Sequence, residues 1–170
     1  MDWYNVLTGN EHGEFHKEKN GGFKQRKTYL KEAIMSALSW KKNLETGIEW
    51  QDSEHQELFG KINALLDAML GCRDEEEVFN LVKLLDSSMQ VHFRAEEQVM
   101  GEIDYTERNA HNAEHVQFKK LMLKIKRDLI EGISPEHIFK TQQKTIEWFL
   151  NHIRKSDKKL GEFIKSRAAA

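Results

Sequence analysis

Residues 74–100, DEEEVFNLVKLLDSSMQVHFRAEEQVM, hold the pattern that decides the fold. Asp74, followed by Glu77 three positions later, is typical of the residues that cap a helix N-terminus. Apolar residues then recur every three or four positions, which predicts the buried face of a long α-helix. That face comprises Val78, Leu81, Val82, Leu85, Met89, His92 and Phe93.

Three other segments carry the same spacing and predict further helices. They run from about Asp52 to Leu70, from about Thr106 to just before Gly132, and from Ser134 to Leu160. Asp52 and Thr106 are plausible N-caps, and Pro135 suits the first position of a helix. Because the connections near Gly71 and Gly132 are short, the helices they join should be antiparallel. The sequence therefore predicts an all-α, up-and-down four-helix bundle.

The predicted bundle spans residues 37–167, and the remaining residues differ in character. Residues 1–36 are interpreted as a short N-terminal extension or linker, in part helical because residues 29–38 carry a short amphipathic pattern. Three alanines at 168–170 are interpreted as the remnant of an artificial tail.

Composition excludes several classes of protein. The 170 residues fit one domain, and 26 Lys and Arg against 28 Asp and Glu argue against a nucleic-acid-binding protein. A single cysteine, Cys72, allows no internal disulfide and favours a reducing cytoplasm. No apolar run approaches the ~20 residues that span a bilayer, and no secretory signal is recognised.

The placement of the histidines indicates a metal site. His92 and Glu96 lie four residues apart, as do His111 and His115, so each pair shares one helix face. His55 and His152 add one imidazole each from the first and fourth helices.

Asp157 is a weaker candidate by geometry, because it follows His152 by five residues. In a regular helix those side chains point about 140° apart, so a helix distortion or a long reach would be needed. Other polar residues have simpler interpretations. His12, His16 and His137 are expected at the surface, and Glu97 is expected on a different face from Glu96.

Burying several imidazoles and two carboxylates in a bundle core is costly unless a metal pairs them. Five histidines and two carboxylates are too many for one tetrahedral zinc, and suit a pair of iron, manganese or zinc ions. If both carboxylates and a hydroxide bridge two octahedral ions, about one of the roughly twelve coordination positions stays open for a small ligand. The absence of any Glu-x-x-His pair favours reversible ligand binding over oxygen activation.

The motifs resemble those of the bacterial hemerythrins over roughly residues 39–164. The matching residues are Trp40, Glu45-Thr46-Gly47-Ile48, Asp52-x-x-His55-x-x-Leu58-Phe59, His92-Phe93-x-x-Glu96-Glu97-x-x-Met100, Tyr105, His111-x-x-x-His115-x-x-Phe118, Trp148-x-x-x-His152-Ile153 and Asp157. Together they form a specific set, and the family shares the unusual His152 to Asp157 spacing.

The resemblance implies two iron ions per chain, joined by a hydroxo or oxo bridge, with dioxygen as the ligand. It implies that His111, His115 and His152 bind one iron, that His55 and His92 bind the other, and that Glu96 and Asp157 bridge them. The residues expected to line the oxygen site are Leu58, Phe93, Trp148, Phe149 and Ile153.

Two positions depart from the family pattern. Phe149 stands where a leucine is usual, which would narrow the entrance to the oxygen site. Gln51 stands where an aliphatic residue is usual, and we expect it to point outward, since burying an unpaired amide costs about 1–3 kcal/mol.

The function expected from the resemblance is non-enzymatic, reversible dioxygen binding by a carrier, store or sensor in the cytoplasm. A di-iron peroxidase or oxidase is one alternative. A regulatory module that meets a signalling partner through its N-terminal extension is another.

Overall fold

The structure is a computed structural model that describes residues 40–70, 74–132 and 135–168. The predictions for residues 1–36, Gly71 and the last two alanines lie outside the described residues.

The described chain forms the predicted four-helix bundle. Its helices are α1 (Glu49–Leu70), α2 (Glu75–Glu102), α3 (Arg108–Ile130) and α4 (Pro135–His152), followed by a π-helix (Ile153–Asp157) and α5 (Lys158–Ala168). A 3-10 turn, Lys42–Leu44, precedes α1. Each helix packs on the next along the chain, and α4 also packs on α1, which closes the bundle. The described residues contain no β-strand, and none of their helices is long and apolar enough to cross a membrane.

The predicted apolar faces form the core. Each fully buried aliphatic or aromatic side chain contributes about 1.5–3 kcal/mol relative to an exposed one, so these faces drive the packing. The core includes Leu58, Phe59, Ile62, Leu65 and Leu66 of α1, Val82, Leu85, Met89 and Phe93 of α2, Phe118, Met122 and Ile125 of α3, and Ile146 and Phe149 of α4.

Two helix starts differ from the sequence prediction. α1 begins at Glu49, and Asp52 is not its cap, because the Asp52 carboxylate reaches back and accepts hydrogen bonds from the Thr46 and Gly47 backbone N–H groups at 2.7 and 3.0 Å. Thr106 is not the cap of α3, which begins at Arg108 with no side-chain cap. By contrast, Asp74 caps α2 as predicted and accepts from the Glu77 N–H at 2.8 Å.

The last helical segment contains the distortion that the His152 to Asp157 spacing required. Residues 153–157 form a π-helix, and the Lys158 N–H donates to the Ile153 carbonyl five residues earlier. In this geometry residues five apart come close to alignment, unlike in a regular α-helix. The chain then stays helical to Ala168, eight residues beyond the predicted end at Leu160.

α5 closes one end of the bundle against the loop before α1. A Cβ atom at Gly161 would lie 2.9 Å from the Thr46 carbonyl oxygen and 3.1 Å from the Thr46 Cβ. Lys165 donates to the same carbonyl at 2.8 Å. A larger residue than glycine would therefore push this loop away from α5. The displaced loop includes Thr46 and Gly47, whose backbone N–H groups donate to Asp52.

We expect Gly161→Ala to lower the free energy of unfolding by about 1–3 kcal/mol, because the added methyl overpacks the contact with Thr46. Gly60→Ala is the matched control, since a Cβ atom at this helical glycine meets nothing within 4 Å. It should raise the free energy of unfolding by about 0.5–1 kcal/mol through helix propensity. Urea unfolding of the metal-free protein, followed by far-UV circular dichroism, measures both. Equal effects of the two substitutions would contradict the close contact.

Candidate metal centre

All four bundle helices and the π-helix contribute a side chain to one buried polar site. His55 lies on α1, two predicted ligands lie on α2 and two on α3, and His152 ends α4 just before the π-helix that carries Asp157. The seven residues are each at most 3% exposed: His55, His92, Glu96, His111, His115, His152 and Asp157.

The seven residues form two overlapping groups whose ligand atoms lie within 4.8 Å of one another. One group contains three imidazoles and Glu96. The other contains two imidazoles, Asp157 and again Glu96. The first group comprises Glu96, His111, His115 and His152. The second comprises His55, His92, Glu96 and Asp157. We call them the three-histidine cluster and the two-histidine cluster.

Glu96 presents one oxygen to each cluster. Its Oε2 lies 3.2 Å from His111 Nε2 and 3.1 Å from His115 Nε2. Its Oε1 lies 3.4 Å from His92 Nε2, on the two-histidine side. The carboxylate therefore lies between the two clusters.

Asp157 is placed in the same way. Its Oδ1 lies 3.0 Å from His152 Nε2 and 3.4 Å from His111 Nε2, whereas its Oδ2 lies 3.1 Å from His55 Nε2. Without the π-helix this carboxylate would point away from His152. Each carboxylate thus has one oxygen for each cluster, the arrangement that two bridged metal ions require.

The electrostatics of the metal-free site keep both carboxylates ionised. Burial raises the pKa of Asp157, but His152 and His55 together hold it well below its ordinary value. Burial and the Asp157 carboxylate raise the pKa of Glu96. The imidazoles of His92, His111 and His115 outweigh both effects, so the pKa of Glu96 lies below its ordinary value.

Two of the imidazoles respond in the opposite direction. Burial lowers the pKa of His152, but Asp157 and Glu114 outweigh it and raise the value to about 10. The pKa of His92 is also raised, because Glu96 and Glu54 overcome the effect of burial. The pKa of His115 is lowered, chiefly by burial. Protons on imidazoles therefore balance the two carboxylates in the metal-free protein.

Three outer carboxylates hold the imidazoles from behind, and sequence reasoning missed all three. His92 Nδ1 lies 2.8 Å from Glu54, His115 Nδ1 lies 3.1 Å from Glu97, and His152 Nδ1 lies 2.6 Å from Glu114. Glu97 is partly exposed whereas Glu96 is fully buried, yet Glu97 also reaches His115 of α3, on the Nδ1 side of the ring. Such carboxylates fix the tautomer of a metal-binding histidine by accepting its second N–H.

Inward-facing Nε2 atoms make the site suitable for metal ions. With Nδ1–H donated to Glu97 and Glu114, the Nε2 atoms of His115 and His152 face each other at 3.2 Å. His55 and His92 repeat this 3.2 Å contact in the other cluster. Two nitrogens bound to one ion at about 2.1 Å lie about 3.0–3.4 Å apart, so the spacing fits two ligands of a single metal. The donor set of imidazole and carboxylate suits iron, manganese or zinc.

The family model described as "Hemerythrin HHE cation binding domain" matches residues 46–164. The chain belongs to the hemerythrin family. The resemblance drawn from its sequence motifs is therefore confirmed, and the matched segment contains all seven cluster residues.

Known hemerythrins share most of this domain with the chain. The myohemerythrin of Theromyzon tessulatum is 31% identical over 124 residues, which cover 73% of this chain and 91% of that protein. The bacteriohemerythrin of Pseudomonas paraeruginosa is 27% identical over 125 residues, covering 72% and 78%. The crystal structure of a leucine-to-tyrosine mutant of hemerythrin superposes with a TM-score of 0.65 at 24% identity, covering 73% of this chain and 94% of that one.

Aromatic rings pack directly on the histidines of this hemerythrin domain. Phe93 stacks on His115 with ring centroids 3.9 Å apart, and Trp148 stacks on His152 at 4.6 Å. Phe149 meets His55 edge-on at 6.1 Å. Leu58 and Ile153, also expected in the lining, are buried in the core. Four of the five expected lining residues are at most 2% exposed, and Trp148 is half-buried.

Gln51 corrects the expectation from the sequence. It does not point outward: its side chain is fully buried, and its Nε2 donates a hydrogen bond to Glu96 Oε1. The expectation failed because it treated the whole amide as unpaired. In the structure Glu96 of α2 accepts a hydrogen bond from the amide nitrogen.

We expect metal binding to release protons at pH 7–9, since an imidazole with a pKa of about 10 must lose its proton to bind a metal. Apparent metal affinity should rise about tenfold per pH unit for each proton released, up to about pH 10. The raised pKa stabilises the metal-free fold below the ordinary imidazole value, and this stabilisation is lost as the pH rises through about 10. Calorimetric titration in buffers of different ionisation enthalpy counts the protons.

Glu114→Gln is the informative variant for this proton release, because it removes the charge behind His152 while keeping a hydrogen-bond acceptor. It should lower the pKa of His152 and reduce the proton release above about pH 8. Glu107→Gln, at an exposed residue paired with Lys159, is the control. Unchanged proton release in Glu114→Gln between pH 7 and 10 would contradict the assigned cause.

Proposed function

We propose that this hemerythrin-family domain is a non-haem di-iron protein that binds dioxygen reversibly. One observation carries the proposal: two His-rich clusters share Glu96, and both buried carboxylates direct one oxygen to each cluster. This arrangement suits two adjacent ions better than a single one.

The residue roles follow from these positions. His111, His115 and His152 would hold one iron, and His55 and His92 would hold the other. Glu96 and Asp157 would bridge the two ions. The two-histidine cluster supplies fewer ligands, so the open position for a small ligand belongs there.

The surroundings of the clusters favour a small apolar ligand. When bound, two ferrous ions would supply the electrons that reversible binding of dioxygen requires. The protein surrounds the histidines with Phe93, Trp148 and Phe149, whose rings exclude water from the imidazoles. Leu58 and Ile153 complete the proposed lining. Exclusion of water opposes loss of the bound ligand by protonation, which is what a reversible binder needs.

A redox role is the second candidate, and Gln51 is the observation that favours it. A buried amide beside Glu96 makes the lining partly polar. A peroxidase, an oxidase or a redox sensor tolerates such a group more readily than a carrier does. In the proposed function the domain is otherwise non-enzymatic, cytoplasmic and without a nucleic-acid partner. Signalling through the N-terminal extension is the form in which it would act as a sensor.

Metal analysis of iron-loaded protein should give two ions per chain. His55→Ala should reduce this to about one, because the two-histidine cluster would keep a single imidazole. His12→Ala, outside the described residues and predicted to lie at the surface, should leave two. One ion per chain in the unsubstituted protein, unaffected by His55→Ala, would contradict the two-metal centre.

Air added to the anaerobically reduced protein should change the visible spectrum, and removal of oxygen should restore it.

Phe149→Ala should speed irreversible oxidation, because it opens a cavity against His55 and Phe59 through which water enters. The substitution also costs about 3–5 kcal/mol of stability, so Phe149→Leu serves as the milder variant.

Phe79→Ala is the control for this series, since it lies 13 residues from His92 along α2, about 20 Å away. It should oxidise at the parent rate. Conversion of the reduced parent protein to the ferric form within the mixing time would contradict reversible binding and favour the redox role.

A further inference from the structure

Gln51 is the one buried polar side chain on α1 that touches a cluster carboxylate without being a predicted ligand. It lies four residues before His55, so the two share a helix face directed into the bundle. Its side chain has no exposed surface.

The amide orientation follows from its neighbour. A carboxylate that binds a metal ion only accepts hydrogen bonds, so the amide nitrogen, and not the oxygen, faces Glu96. The oxygen it holds is Oε1, which faces His92, while Oε2 is directed toward His111 and His115. The amide therefore acts on the half of Glu96 that belongs to the two-histidine cluster.

The other half of the amide is free to act on a ligand. Among the described residues, no group donates a hydrogen bond to Gln51 Oε1, although the atom is buried. The oxygen and nitrogen of one amide lie about 2.3 Å apart, so Gln51 Oε1 lies within about 5 Å of Glu96 Oε1. A buried acceptor without a partner is costly, and a hydrogen-bearing ligand at the cluster would relieve that cost.

We propose that Gln51 is a positioning and specificity residue of the two-histidine cluster. Its amide N–H holds Glu96 Oε1 toward His92, and its amide oxygen accepts a hydrogen bond from a small ligand that carries hydrogen, such as water or hydroxide. The same oxygen repels anions that only accept hydrogen bonds. This inference rests on the proposed two-metal centre.

Cobalt(II) added to the metal-free protein, followed by visible absorption, tests the positioning role. The parent should bind two ions. Gln51→Met keeps the length of the side chain but removes both polar atoms. It should bind the first ion as the parent does and the second about tenfold more weakly, the usual effect of losing an outer hydrogen bond to a ligand. Gln56→Met, at an exposed glutamine on the same helix, should match the parent.

Azide added to the cobalt-loaded proteins tests the specificity role. Azide carries no hydrogen, so the amide oxygen should disfavour it in the parent. Gln51→Met should bind it at least threefold more tightly, whereas a residue that only fills space would leave the azide affinity unchanged.

The outcomes separate this inference from the function on which it rests. One cobalt ion per parent chain would contradict the two-metal centre and this inference with it. Two ions bound with equal affinity by the parent and Gln51→Met, together with unchanged azide binding, would contradict this inference alone. A weakened second ion in Gln51→Leu but not in Gln51→Met would show that Gln51 acts by packing, and would also overturn it.

Discussion

The whole molecule depends on two carboxylates that never meet water. Glu96 and Asp157 are fully buried and ionised, and a carboxylate buried there without compensating groups would take up a proton rather than stay charged. Five imidazoles compensate them, and no single helix could supply five at one level. The four-helix arrangement is therefore also the means of bringing enough positive or metal-binding groups to one point. The aromatic rings and outer carboxylates follow from the same need, because they fix the imidazoles in place.

Regular helix geometry made most of the site predictable. The pairs His92 and Glu96, and His111 and His115, share helix faces, so their convergence needed no knowledge of the tertiary structure. The five-residue spacing between His152 and Asp157 indicated that the helix must be distorted, but it did not indicate the kind of distortion. The structure shows that it is a π-helix. The helix starts were harder, because the Asp52 carboxylate bonds to the loop six residues earlier instead of capping α1.

What the sequence could not reveal were contacts between helices. Gln51 bonds to a residue 45 positions later, so the cost of burying it could not be judged from its neighbours. The outer carboxylates did leave a signal. Glu54 and Glu114 each precede a predicted ligand and Glu97 follows one, yet each holds a histidine of another helix. In each case an acidic residue beside a predicted ligand on its own helix bonds to a predicted ligand histidine on the next helix.

Each cluster contains at least one imidazole that a carboxylate holds from behind and one that none does. In the three-histidine cluster, His115 and His152 each have a carboxylate behind them and a ring stacked on their face. In the two-histidine cluster, His55 Nδ1 has no hydrogen-bond partner among the described residues, and a tilted Trp40 ring and the edge-on Phe149 ring flank it. His92, the other imidazole of this cluster, is held by Glu54, and His111 of the three-histidine cluster also has an Nδ1 without a hydrogen-bond partner among the described residues. Gln51 adds its amide on the side of the two-histidine cluster, where it bonds the Glu96 oxygen that faces His92. The buried amide and the position proposed for the ligand therefore lie on the same side of the centre, so the properties of a bound ligand should depend most on the surroundings of the two-histidine cluster.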